Sequence, residues 1–275
     1  MTFTKNKSLT IIISSIIIGI LVSFTSYVGL TFPGFYSKET INWQAQCFGQ
    51  DWVNLFVIVP CLFLTAILSF RKNFFALLWA GVIVYLVYTF IIYAFNVHYN
   101  RLFIIYCLIL GLSVYSLIYF LMQRKELVEF EIKNSLSLKI TGIFFLFIAL
   151  SFYLLWLSEL IPSMINNKIP DSIIKTGLVS NPVHVLDLSF VLPGIFIGGI
   201  LLLRKKHSGY LLAPVILSFF ILMDVTLVVL VIVMNKKGLE SELTISYIMA
   251  ILFIASIIML VWNLRSMKFL NQFSA

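Results

Sequence analysis

The chain reads as an all-α, polytopic membrane protein with eight transmembrane helices, and three observations carry that reading. Eight long apolar runs follow one another, with only short charged segments between them. A stretch of about 20 apolar residues crosses a bilayer core, and each run reaches that length. Only 11% of the residues are charged and the mean hydropathy is +1.06, which excludes a soluble globular fold.

The runs are Leu9–Leu30, Asp51–Phe70, Phe74–Phe95, Arg101–Met122, Leu138–Ile161, Val183–Leu203, Ser208–Met234 and Leu243–Leu264. The first has a basic front, Lys5 and Lys7, but it is longer than a signal-peptide core. No A-x-A-like cleavage site follows it, so it reads as a span. The second is expected to open on Asp51 as an N-cap and carries Pro60 before the basic turn Arg71-Lys72. Asn96, His98 and Asn100 form the tight turn between the third and fourth. The fifth is expected to end at Glu159, where a carboxylate opposes the helix dipole and needs a partner or water. The sixth opens on Asn181-Pro182, a capping residue followed by proline at the first helical position, and carries Pro193 before Arg204-Lys205-Lys206. The seventh holds Asp224 among Phe219, Phe220, Leu222, Met223 and Val225.

The chain forms one integral membrane domain, 1–275, and the polar segment Gln123–Ser137 divides it into two four-span halves, 1–122 and 138–275. Each half has an ascending helix, a long loop, a descending helix with Asp near its start and Pro below, and a basic turn. An even number of spans per half is expected to give a parallel repeat about an axis along the membrane normal. Cys47, Cys61 and Cys107 are odd in number, and the latter two lie in spans as small buried hydrophobes rather than as a disulfide framework.

Lysine and arginine near span ends favour the cytoplasmic side. An inside N-terminus puts Lys5, Lys7, Arg71, Lys72, Arg124, Lys125, Lys133, Lys139, Arg204, Lys205, Lys206, Arg265 and Lys268 in the cytoplasm. It leaves Lys38, Arg101, Lys168, Lys175, Lys236 and Lys237 outside, so the split is 13 against 6 of 19. Both termini are therefore expected in the cytoplasm, with the protein in the plasma membrane of a bacterium. The +8 net charge is this topology signal plus attraction to anionic lipid. The basic residues are scattered loop pairs rather than one patch, which argues against nucleic acid as a partner; the lipid bilayer is the expected one.

Ionisable residues within spans are costly and mark candidate functional positions. Asp51, His98, Glu159, His184, Asp187 and Asp224 all fall in the outer half under this topology. His184 and Asp187 are three apart and share a helix face, as a tautomer-fixing pair, half of a metal site or a proton relay would. The plainer reading of Asp51 is a cap, of His184 a satisfied boundary histidine, and of Asp224 a structural hydrogen bond to Tyr85, Tyr88, Tyr93 or Ser246. The sequence has no G-x-S-x-G, no H-E-x-x-H, no C-x-x-C and no glycine-rich phosphate loop. His98 and His184, completed by Asp51 or Asp187, are the one combination with the composition of an open zinc site.

The segments GQDWVNLFVIVP (Gly49–Pro60), YTFIIYAFNVHYNRLFIIY (Tyr88–Tyr106) and NPVHVLDLSFVLPG (Asn181–Gly194) resemble recurring blocks of a family of bacterial multi-pass membrane proteins without assigned activity. The resemblance implies the membrane class and no reaction. Three functions stay open at this point. The first is an outward-facing polar pocket that binds or transports a small solute or protons. The second is an intramembrane metal-dependent hydrolase or transferase acting on an outer-leaflet lipid head group. The third is a non-catalytic scaffold or accessory subunit. Stoichiometric zinc would favour the enzyme, and proton-gradient-dependent uptake would favour transport.

Overall fold

A computed structural model describes residues 2–127, 130–239 and 243–269, and it shows eight helices long and apolar enough to cross a membrane. Spans one to four are Thr2–Thr31, Ile41–Ser69, Phe74–Asn96 and Phe103–Leu127. Spans five to eight are Leu136–Ile165, Pro182–Leu203, His207–Lys236 and Leu243–Ser266. A short helix, Asp171–Thr176, interrupts the loop between spans five and six.

Span two corrects a sequence expectation. Its helix starts at Ile41, where the Thr40 side chain caps Trp43 N, so Asp51 lies well inside the helix and caps nothing. The loop before it shrinks to Phe32–Thr40, and Trp43 and Phe48 become helical. Span five corrects another: its helix runs through Pro162 to Ile165, so Glu159 is not at its end. The cap at Asn181 forms as expected, accepting from the Val183 and His184 amides.

Spans two and six share a local irregularity. Residues Asn54–Ile58 and Asp187–Val191 form single π-turns, closed by Val59 N to Asn54 O and by Leu192 N to Asp187 O. A proline inside a helix has no N–H to donate and clashes with the carbonyl four residues before it. The widened turn just ahead of Pro60 and of Pro193 relieves both problems. One displacement along the chain carries Asn54 onto Asp187, Pro60 onto Pro193, Arg71-Lys72 onto Arg204-Lys205, and the start of span three onto the start of span seven.

Each half closes on itself in the same way. Span one packs on two and four, and span three on two and four; span five packs on six and eight, and span seven on six and eight. Polar pairs tie neighbours, as inter-helix hydrogen bonds do in lipid. Trp79 Nε1 donates to Ser15 Oγ at 2.8 Å between spans three and one, and Asn263 Nδ2 donates to Thr141 Oγ1 at 2.9 Å between eight and five. Backbones approach closely at Gly142 and Gly199, where a Cβ on either would come within 2.9–3.0 Å of the other's carbonyl oxygen.

The halves meet mainly along spans three and seven, with span two also against seven. Gly81 makes that approach, since a Cβ there would overlap Ser218. Span three is the most buried of the eight and span eight the least. On the face of the basic turns, the segment between the halves is more than a polar linker. Its strand β1 (Phe130–Ile132) pairs antiparallel with β2 (Met267–Phe269). Phe130 also stacks on His207 at 4.9 Å, so this clasp joins the start of the second half to its end.

Candidate functional site

The polar side chains gather toward the opposite face, where the two longer loops lie. Span three distributes three tyrosines into this region. Tyr93 donates to Asp51 Oδ1 at 2.8 Å, and Tyr88 donates to Asp187 Oδ1 at 3.2 Å. Tyr85 bonds Thr226 of span seven at 2.7 Å and accepts from Gln50 Nε2 at 2.7 Å. One buried helix thus reaches both halves.

The first-half site is sealed. Asp51 is 1% exposed, and its second oxygen accepts from the Tyr36 hydroxyl at 2.5 Å. Both oxygens therefore hold a hydroxyl donor, the arrangement that satisfies a buried carboxylate. Burial first, and the Asp51 carboxylate after it, hold the Tyr36 phenol well above its usual range, so this loop residue stays a donor through neutral pH. Gly29 lies against the pair: a Cβ there would overlap Asp51 Oδ2 and the Tyr36 hydroxyl. Ser26 stands beside Asp51 without the geometry of a hydrogen bond.

The same loop is latched a second time. Glu39, buried, accepts from the His98 backbone N–H at 2.7 Å and faces His98 Nδ1 at 2.8 Å. Glu39 went unnoticed in the sequence because nothing in its local spacing marks it. Its partner lies 59 positions away, across two helices.

The second-half site is open. Trp156 Nε1 donates to Asp187 Oδ2 at 2.9 Å, and its ring lies 4.6 Å from the His184 ring. His184 Nε2 is 3.7 Å from Glu159 Oε2, too far for a hydrogen bond, while Glu159 Oε1 accepts from the Ser172 amide at 3.2 Å. His184 is only 4% exposed, yet neither ring nitrogen has a hydrogen-bond partner. The Glu159 side chain is 31% exposed. From Ser151 on, no residue of span five is buried within the protein, and among the described residues no hydroxyl bonds Glu159 as Tyr36 bonds Asp51. Trp156 was missed in the sequence, although its spacing of three from Glu159 places both on one helix face.

The two sites sit at matching positions along the chain. The displacement that carries Asn54 onto Asp187 also carries Ser23 onto Trp156, Ser26 onto Glu159 and Asp51 onto His184. In the first half the buried acid is on span two and meets chain hydroxyls. In the second half the acid at the matching pair of positions is on span five, and span six offers an imidazole.

The remaining candidates fall as follows. Asp224 is 6% exposed and faces the bundle, with Oδ2 unpartnered. The hydroxyls of Tyr85, Tyr88 and Tyr93 are bonded elsewhere. His98 sits on Glu39 and His184 beside Glu159, each on its own acid, and Asp51 shares no partner with His184 or Asp187. No group of three His, Cys, Asp or Glu side chains converges among the described residues, so the two-histidine zinc arrangement is not assembled.

The fold makes this an integral membrane protein, a helical bundle of eight apolar spans. No protein-family model matches the chain, nor does any curated protein or solved structure.

Proposed function

We propose that this protein binds a small polar solute at the Trp156–Glu159–His184–Asp187 site and moves it, or protons, across the plasma membrane of a bacterium. The observation that carries the reading is His184, a buried imidazole whose two nitrogens lack partners beside a partly exposed carboxylate. A buried polar group without a partner costs about 1–3 kcal/mol, so a site that keeps one open is a place for something else to bind. Intramembrane ionisable groups mark solute and proton pathways. Asp224, deeper in span seven, also keeps one carboxylate oxygen, Oδ2, without a partner.

In this reading the two halves are copies of one four-span unit, related by an axis along the membrane normal. One copy keeps its polar site closed for stability, and the other opens it to solute. The long-loop face is outward and both termini are cytoplasmic, which follows the distribution of lysine and arginine. The test is uptake by proteoliposomes of the full chain under an imposed proton gradient, with a panel of labelled small amines, sugars and carboxylates. One class is expected to enter above the rate of empty vesicles, and His184→Phe is expected to remove that excess. Uptake equal to empty vesicles across the panel contradicts the reading.

A further inference from the structure

The open site has a charge and donor pattern that narrows what it can take. Two carboxylates, Glu159 and Asp187, border it, and among the described residues no lysine or arginine pairs with either. Asp187 already receives two donors, Tyr88 and Trp156, so its charge is held in place without being neutralised. Glu159 has one oxygen on the Ser172 amide and leaves Oε2 facing the His184 ring across 3.7 Å. A neutral imidazole offers one acceptor, and an ionised carboxylate offers only acceptors. With the imidazole proton on Nδ1, the Nε2 lone pair and Glu159 Oε2 both face the gap, which is then bounded by acceptors and lacks a donor.

We propose that the gap between Glu159 Oε2 and His184 Nε2 receives a primary ammonium group, with the indole of Trp156 forming an adjacent wall. This rests on the solute-binding reading above and names the chemical class of the solute. His184 Nε2 is itself covered, so the partly exposed Glu159 side chain turns aside to let a nitrogen lie about 2.9 Å from both atoms, which is ordinary hydrogen-bond length. An ammonium group brings three donors and one positive charge, the two things the site lacks. Indole is also the best aromatic face for a cation. An anion would meet two carboxylates at short range, and a neutral alcohol would supply one donor and leave the charge uncompensated. Because Glu159 is partly exposed, the ammonium can come from a soluble amine or from an aminolipid head group such as ethanolamine.

The experiment uses the full chain in nanodiscs of pure phosphatidylcholine, titrated calorimetrically with butylammonium, butyrate and 1-butanol, three probes of one size and different charge. Butylammonium is expected to bind at least tenfold more tightly than the other two. Glu159→Gln is expected to weaken it at least tenfold, while Glu159→Asp restores part of the loss. A Gln variant that melts with the wild type shows that the loss is not unfolding. Adding phosphatidylethanolamine to the discs identifies the source. Competition of threefold or more assigns the lipid head group, and unchanged affinity assigns the soluble amine; either upholds the ammonium class. Butyrate or butanol binding as well as butylammonium, with the binding lost in His184→Phe, overturns the class and leaves a solute site standing. Butylammonium binding unaffected by Glu159→Gln, or no binding of any probe, overturns the proposal.

Discussion

Gly29→Val is expected to cost the protein its folded state in detergent, since a Cβ at this glycine meets a tighter contact than at any other glycine. A Cβ at Gly29 would occupy the space of Asp51 Oδ2 and of the Tyr36 hydroxyl. Neither can move easily. Asp51 is held from the other side by Tyr93, and Tyr36 belongs to a loop latched by Glu39 on His98. Overpacking costs about 1–3 kcal/mol, and breaking the carboxylate–hydroxyl pair leaves buried polar atoms worth about as much again. The total is a large part of a marginal stability of about 5–15 kcal/mol. Gly111→Ala is the control, since nothing lies within 4 Å of a Cβ there. Size-exclusion profiles and melting temperatures should show an aggregated or strongly destabilised valine variant beside a control like the wild type. A well-folded Gly29→Val protein would mean that the Asp51 clamp is not tight.

Asp187 separates charge from packing. Asp187→Ala leaves the Trp156 N–H and the Tyr88 hydroxyl without their acceptor, each loss costing about 1–3 kcal/mol, so both stability and solute binding should fall. Asp187→Asn is different. Its amide oxygen can accept from the indole, and its NH2 can donate to Tyr88, whose hydroxyl rotates to accept. The asparagine variant should therefore melt close to the wild type, yet lose about tenfold or more in affinity for a cationic solute, or about 1.4 kcal/mol. A melting curve and a binding isotherm on both variants check this. Equal affinity in Asp187→Asn and wild type would show that the carboxylate charge takes no part in binding.

Much of the fold was legible because the bilayer makes a long apolar run unambiguous. Every run overlaps one span, and Asn181-Pro182 starts its helix as the capping rule says. The errors lie where hydropathy stops being informative. Ile41–Gln50 is helical but carries Asn42, Gln44, Gln46 and Gln50, so its polarity made it read as loop. Trp43, Ala45, Cys47 and Gly49 are buried on more than one face of it, so this stretch packs against protein rather than lipid. The π-turns ahead of Pro60 and Pro193 have no signature beyond the prolines, yet they reveal how the halves align. The acids of the site were visible as costly residues in apolar surroundings. Their partners were not, because Tyr36, Tyr88, Trp156 and Glu39 act across helices, and hydroxyls and indoles are ordinary at a membrane boundary.

The chain has only three histidines, so 13C-histidine NMR of the full protein in nanodiscs resolves the account directly. His98 sits on Glu39 in the first half, His207 stacks on Phe130 at the opposite face, and His184 alone borders the open gap. On titration with butylammonium, the His184 resonance is expected to shift in a saturable way while the other two stay fixed. Asp187→Asn should move the midpoint to higher concentration. A titration in which His184 stays still, or in which His98 moves in its place, contradicts an open site in the second half and a sealed one in the first.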